Sequence, residues 1–364
     1  MLDLRGTSIE TLDKSIGSLS KLDKFYVCES LKHVPKDLPS MTCLRDLSLH
    51  NCTQLDNSNL QNLLDASHSV QNLILNGCFN LSEIPHNIKH LSCLEHLSIR
   101  DCIRLRHVPT LPPSVGQLDA VNCSSLETLV LPSTSPRQIR GKNISISFEN
   151  CVKLNEHSRI SIMEHASVMM KLLAYANVDI PETMRTSGTV CLPGSKVPAT
   201  FKNRTRHAYT AEYEYHQIVC RWCLEDNDNR VGYTRRWYYK DIAELNSDHV
   251  YLWYEASCDK IIEAAKEESK YKCIIDNIKV SFEFYVETYK LSEPKQIGLI
   301  GIKECGVCPI YASECYDSRN KIELDRITVA IESFEEMIDE EEKPHQMKNQ
   351  EKDYCDCLIG MNKS

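Results

Sequence analysis

Four copies of one template and a later run of strict apolar alternation predict the fold class. It is an α/β leucine-rich repeat solenoid followed by a mainly antiparallel β-sandwich. The copies of L-x-x-L-x-L-x-x-C are Leu44 to Cys52, Val70 to Cys78, Leu94 to Cys102 and Val115 to Cys123. A looser copy, Leu22-Asp-Lys-Phe25-Tyr-Val-Cys28, is two residues shorter. The five cysteines fall at 28, 52, 78, 102 and 123, with steps of 24, 26, 24 and 21 residues. That period and that template are the leucine-rich repeat. Further on, Ile278-Lys-Val280-Ser-Phe282-Glu-Phe284-Tyr-Val286 alternates as a strand with one face in a core.

The first repeat opens at Met1-Leu-Asp-Leu4, and Leu12, Ile16 and Leu19 complete it. No polar cap precedes it, and stacked repeats need one at their ends. This predicts the latter part of a longer protein or a truncated gene product. In each L-x-L the apolar pair points inward and the intervening residue outward. The cysteine marks the inward turn, where a small side chain is buried and its S–H meets a backbone carbonyl. Leu31-x-x-Val34-Pro35, Leu81-x-x-Ile84-Pro85 and Leu105-x-x-Val108-Pro109 predict irregular or short helical returns. Asp56-Asn-Ser-Asn59 in the third repeat lacks the Pro and predicts a convex bulge. Ser133-Thr-Ser-Pro-Arg137 is a breaker run, which sets the repeat domain at 1–138.

The second domain is expected over 139–331. Ile144-Ser-Ile146-Ser-Phe148 reads as a strand, and Asn155 caps a helix near 155–176. Its predicted buried stripe is Ile160, Met163, Ser167, Met170 and Leu173, packing on the last repeat. Strands are expected at 189–192, 210–224, 250–254, 278–286 and 297–311, the pattern of an antiparallel sandwich. From Glu332 the chain is acidic and then polar, and 332–364 is expected to be a disordered tail.

Composition narrows the function. With 364 residues and 42% hydrophobic content the chain suits two globular domains. A net charge of −9 disfavours a nucleic-acid binder. No apolar run approaches the roughly 20 residues of a membrane span. Eighteen cysteines, five of them on repeat positions, fit a reducing compartment. Asn51, Asn80, Asn122, Asn143 and Asn203 each begin an Asn-x-Ser/Thr pattern. Two of them directly precede ladder cysteines, where a glycan would crowd the turn, so they read as chance matches. An extracellular ligand-binding repeat protein is the alternative that real glycans there would support.

Four motifs add a specific resemblance. They are Phe148-x-Asn150-Cys151-x-Lys-Leu154, Cys191-Leu-Pro193-Gly194-Ser195-x-Val-Pro198-x-x-Phe201, Asp248-His249-Val-Tyr-Leu-Trp253-Tyr254 and Ile302-Lys-x-Cys305-Gly306-Val307. In order and spacing they resemble the post-repeat domain of plant TIR-NBS-LRR disease-resistance proteins. Gly6-Thr7-Ser-Ile9 and the Val-Pro or Ile-Pro returns also resemble that family's repeats. The resemblance implies a jelly-roll, immunoglobulin-like second domain. It also implies a non-enzymatic role without cofactors: recognition of a pathogen effector or a guarded host protein, in the cytoplasm or nucleus. A nucleotide-binding domain of the same or a paired receptor is a further implied partner. The sequence contains no Gly-x-x-x-x-Gly-Lys phosphate loop, so the family's ATP switch has no residues here.

Two surfaces are expected to bind protein. On the concave face of the repeats they are Asp46, Ser48, His50, Asn72, Ile74, Asn76, His96, Ser98, Arg100, Gln117 and Asp119. On loops of the second domain they are Arg204, Arg206, Arg235, Arg236 and Trp237, residue types that dominate interface energetics. Cys220-x-x-Cys223 and Cys305-x-x-Cys308 are expected in strands, where residues three apart face opposite ways and cannot chelate as a pair. No catalytic or metal site is assigned.

Overall fold

The computed structural model describes residues 1–132, 142–177 and 185–194, together with strands at 202–205, 215–226, 229–235, 249–255, 279–289, 302–311 and 355–363. The first half is a stack of short strands: β1 (Leu2–Asp3), β2 (Lys24–Tyr26), β3 (Asp46–Ser48), β4 (Asn72–Ile74), β5 (His96–Ser98), β6 (His107–Val108), β7 (Gln117–Asp119), β8 (Thr128–Leu129) and β9 (Ile144–Ser147). All but β6 and β8 join one parallel sheet, each strand beside its equivalent one repeat away. β6 and β8 pair on the return side.

Register follows the template. Phe25, Leu47, Leu73, Leu97, Leu118 and Ile146 lie opposite one another in turn, and all are buried. A one-residue slip would turn that whole line to solvent, so burial holds the register. After every strand of the parallel stack except β2 the chain reverses through a left-handed residue. Gly6, Asn51, Gly77, Asp101, Asn122 and Asn150 take φ between 57° and 72°. Only Gly, Asn and Asp visit that region at low cost, which explains the residue before each inward turn.

The cysteines line up as expected. Sγ of Cys52 donates to the Cys28 carbonyl at 3.2 Å, Cys78 to Leu49 at 3.0 Å, Cys102 to Leu75 at 3.1 Å and Cys123 to Ile99 at 2.9 Å. Cys28 donates to Ile9 at 2.9 Å. There is also a sixth rung, Cys151 to Ala120 at 3.0 Å. Ile146-x-Phe148-x-x-Cys151 is therefore one more copy of the repeat.

The returns contain 3-10 turns at Lys14–Ser18 and His86–His90. The expected bulge of the third repeat is a helix, α1 (Asn57–Asp65). Asp56 caps it, its Oδ1 accepting from the Asn59 N–H at 2.8 Å. Leu60, Leu63 and Leu64 seat it on the core.

The sheet does not stop at residue 138. β9 pairs on its far side with β10 (Gly188–Pro193), still parallel. Beyond β10 the pairing turns antiparallel, through strands named here in chain order as β11 (Lys202–Thr205), β12 (Tyr215–Asp226), β13 (Asn229–Arg235), β14 (His249–Glu255), β15 (Lys279–Tyr289), β16 (Ile302–Tyr311) and β17 (Cys355–Lys363). The main sheet continues β10-β14-β17-β16-β11, while β13-β12-β15 form a separate antiparallel sheet. The buried line continues through Val190 and Leu252. The fold is thus a mixed sheet, parallel then antiparallel, with two α-helices among the described residues.

Two expectations need correction here. A disordered tail to 364 is contradicted by β17, which inserts between β14 and β16. Both of its edges gain a hydrogen-bonding neighbour, and Leu358, Ile359 and Met361 suit a strand. Residues 332–354 lie outside the described residues. The helical stripe holds at Met170 and Leu173 but not at Ile160. In α2 (Glu156–Asn177) the buried positions are Ile162, Ala166, Met169, Met170, Leu172, Leu173 and Ala174, whereas Ile160 is exposed.

The helix begins as expected, Asn155 Oδ1 accepting from the Ser158 N–H at 2.8 Å. It packs on β10 and β14. Gly188 makes this approach possible: a Cβ there would stand 2.3 Å from Leu173 Cδ1. At the same junction the buried His249 accepts the Asn150 N–H on Nε2 at 2.8 Å. Two of the ordered motifs, distant in sequence, meet in that bond.

Candidate protein-binding face

Alternation along three-residue strands leaves one face of the repeat sheet to outward side chains, and register arranges them in rows. The first row is Lys24, Asp46, Asn72, His96 and Gln117. The second is Tyr26, Ser48, Ile74, Ser98 and Asp119. The third, just past the strands, holds His50, Asn76 and Arg100. All eleven residues expected on the concave surface fall in these rows.

The rows are cross-linked. Lys24 Nζ lies 2.7 Å from Asp46 Oδ2, and the Asn72 amide donates to Asp46 Oδ1. Partial burial alone would push the Asp46 carboxyl up, but the Lys24 ammonium and the Asn72 amide outweigh it and hold its pKa below the usual value. Ser98 Oγ donates to Asn76 Oδ1 at 2.7 Å, and the Arg100 N–H donates to the same oxygen at 2.9 Å. Arg100 Nη1 meets Asp119 Oδ2 at 3.0 Å. Such exposed pairs add little stability. Their effect is to fix rotamers, which lowers the ordering cost when a partner binds.

The middle row has relief. Ser48 and Ser98 are buried small residues on either side of the half-buried Ile74. Tyr26 stands beyond Ser48, with the Arg5 guanidinium 4.5 Å above its ring. Arg5 also reaches Asp3 at 2.6 Å, and that hydrogen bond holds the Asp3 carboxyl down at about 2. Arg5, Lys24 and Tyr26 were not among the expected contact residues. The shortened copy hides the alignment of Lys24 and Tyr26, although Phe25 opposite Leu47 places Tyr26 in the row of Ser48.

The Ser98 hydroxyl of this face is not set up as a nucleophile. A serine nucleophile needs a base to take its proton. The Ser98 hydroxyl gives its proton to an amide oxygen instead. The ladder thiols beneath are equally inert, since burial pushes Cys52 and Cys102 up to about 12 and raises Cys78 as well. Among the described residues no three His, Cys, Asp or Glu side chains gather as a metal site.

The second expected surface is placed differently. Arg204 lies within β11 and Arg235 ends β13 opposite Cys220, so both are strand residues and not loop residues. Strand pairing of those segments overrides the turn character of their polar sequences. Arg206, Arg236 and Trp237 lie outside the described residues. Cys220 and Cys223 belong to β12, Cys305 and Cys308 to β16, in different sheets. Of the Asn-x-Ser/Thr matches, the Nδ2 of Asn122 donates to Asp101 Oδ1 at 2.8 Å, and its Oδ1 accepts from Asn150 at 2.8 Å.

Comparison with known proteins points one way. Disease resistance protein RPS4B of Arabidopsis thaliana is 27% identical over 366 residues, covering 86% of this chain and 31% of its own length. Disease resistance-like protein DSC1 of the same plant is 25% identical over 85% of this chain and 28% of its own. Disease resistance-like protein CSA1 is 27% identical over 70% of this chain and 22% of its own. The chain thus spans less than a third of the length of these curated relatives. No family model matches it. The resemblance carried by the four ordered motifs is borne out: the relatives are plant disease-resistance proteins. No helix among the described residues is long and apolar enough to cross a membrane.

Proposed function

We propose that this chain, a relative of the plant TIR-NBS-LRR disease-resistance proteins, is a leucine-rich repeat recognition module of a plant immune receptor. It binds a pathogen effector or a guarded host protein without catalysing a reaction, in the cytoplasm or nucleus. The observation that carries the reading is the outward face of the repeats. Its polar side chains stand in register, pre-set by in-plane pairs, around the apolar Tyr26 and Ile74. A partner that covers this face buries Tyr26 and Ile74 as anchors, with the charged rows setting its orientation. The five basic and aromatic residues Arg204, Arg206, Arg235, Arg236 and Trp237 of the second half extend the contact. A nucleotide-binding domain of the same or a paired receptor is the further partner.

Proximity labelling in infected leaves tests this. The chain is fused to a biotin ligase and compared with a Tyr26→Ala/Ile74→Arg variant of unchanged melting temperature. The proposal expects at least one pathogen or host protein whose labelling falls roughly tenfold in the variant, the loss of about 1.4 kcal/mol at an anchor. Identical labelled sets from both forms would remove the face from the account.

A further inference from the structure

The copy around β2 breaks the regularity of the turns. The two residues it lacks are those that stand at His50 and Asn51 in the next repeat, just before the ladder cysteine. In later repeats these positions carry a second backbone ladder. Each left-handed residue donates its N–H to the residue before its counterpart one repeat on. Asn51 donates to the Asn76 carbonyl at 2.7 Å, Gly77 to Arg100 at 2.9 Å, Asp101 to Val121 at 2.9 Å and Asn122 to Glu149 at 2.8 Å. At β2 that donor does not exist. The His50 carbonyl therefore receives no hydrogen bond among the described residues.

Two further groups turn towards the same gap. One repeat back, the Gly6 N–H has no ladder carbonyl to meet and donates instead to Glu29 Oε2 at 3.3 Å. That bond brings the carboxylate into the turn row. Its own N–H and that of Gly6 hold the Glu29 carboxyl below its usual range, with His50 and Arg5 adding to the effect. One repeat on, Asn51 Oδ1 faces Gly77, since a Cβ there would stand 2.2 Å from it. The Asn51 Nδ2 is left on the side of the gap and donates to nothing among the described residues.

The molecule shows elsewhere what fits such a place. Asn122 stands between a carboxylate one repeat back and an asparagine one repeat on. Its Nδ2 donates to Asp101 Oδ1 at 2.8 Å, its Oδ1 accepts from Asn150 Nδ2 at 2.8 Å, and its N–H meets the Glu149 carbonyl at 2.8 Å. The gap at β2 offers the same set, with Glu29 for Asp101, Asn51 for Asn150 and the His50 carbonyl for that of Glu149. Only the asparagine in the middle is missing from the sequence. We infer that the gap binds an asparagine that the protein partner presents on a turn. Its N–H donates to the His50 carbonyl, its Oδ1 accepts from Asn51 Nδ2 and its Nδ2 donates to Glu29. An aspartate fits less well, because its carboxylate meets that of Glu29. Asn122 is left-handed, and a left-handed asparagine is the first central residue of an Asn-Gly hairpin turn, so a hairpin tip is its natural carrier. Tyr26 precedes the gap by one residue. The inference thus rests on the recognition face proposed above and names the group that the partner brings to its edge.

The probe is a fluorescein-labelled hairpin peptide with Asn-Gly at its turn, titrated against the full chain by fluorescence anisotropy. Saturable binding is expected, roughly tenfold weaker with Asp-Gly or Gly-Gly at the tip. Asn51→Gly should weaken it by a similar factor. Glycine already holds the equivalent left-handed place at Gly77, so that variant stays folded. A second variant restores the template by inserting His-Asn between Val27 and Cys28. It should gain melting temperature, because the gap is then filled from within, and lose the peptide. No saturable binding, equal binding of the Gly-Gly hairpin, or full binding by Asn51→Gly overturns the inference. If the Tyr26→Ala/Ile74→Arg protein loses its labelled partner while the hairpin does not bind, the recognition face stands and the asparagine alone is wrong.

Discussion

The repeats and the strands that follow them share one buried line but assemble it differently. From Phe25 to Ile146 every member pairs with its counterpart one repeat away, and a thiol rung seals each step. Past Ile146 the same line continues through Val190 and Leu252, residues brought together across a long stretch of chain. Local pairing needs little loop closure, whereas the later pairing must close long loops before any contact repays them. The lesson is that one sheet has a locally determined half and a topologically determined half.

The sharpest way to break this comparison is to cut the shared line at two points. Leu97→Ala and Leu252→Ala each remove a fully buried side chain and should each cost about 2–5 kcal/mol in urea unfolding. If the line is common to both halves, each variant lowers one cooperative transition. A Leu252→Ala protein that unfolds in two steps would separate the halves.

Next in size is Gly188→Ala, whose methyl would press on Leu173 and on Met170 Sδ 3.0 Å away. We expect a loss of about 1–3 kcal/mol from overpacking, measured by the same unfolding curves. Asn122→Ala should cost about 1 kcal/mol, because it loses the side-chain link from Asn150 to Asp101 and leaves a left-handed residue without its tolerance for that region. Asn122→Gly should recover most of it. Asp46→Ala, on the exposed face, should stay within about 1 kcal/mol of the parent.

The halves also differ in their response to pH. In the repeats, burial raises Cys52 and Cys102 from 9.0 to about 12. The unfolded chain therefore ionises first, and their contribution, intact below about 9, is lost as pH climbs towards 12. In α2, burial lowers His165 from 6.5 to about 4. Its contribution is present above 6.5 and is lost as pH falls through 4, because the unfolded chain takes up the proton first. His165→Gln should flatten the acid limb of a stability profile and leave the alkaline limb unchanged.

What was legible in the sequence follows the same division. The cysteine steps, the strand positions, the rows in which the eleven expected residues stand and the Asn155 cap could be read because each is set within one repeat or one helical turn. Cys151 was harder, since Ile146 and Phe148 stand where earlier copies carry Leu and a breaker run precedes them. Tyr26 was hidden by the two residues its copy lacks. β17 could not be read, because an acidic stretch precedes it and its two neighbours, β14 and β16, are supplied from elsewhere in the chain. Arg204 and Arg235 looked like loop residues for the same reason: only their partner strands make them strand residues.

Hydrogen exchange tests the continuity of the stack most directly. The amides of Val27, Leu49, Leu75, Ile99, Ala120 and Phe148 each donate to the next strand along the sheet. They should form a single slowly exchanging set that ends beyond Phe148, with Ala120 as protected as Leu75. A protected set that stops at Ile99, with Ala120 and Phe148 exchanging freely, would contradict a seven-strand stack and the recognition face proposed on it.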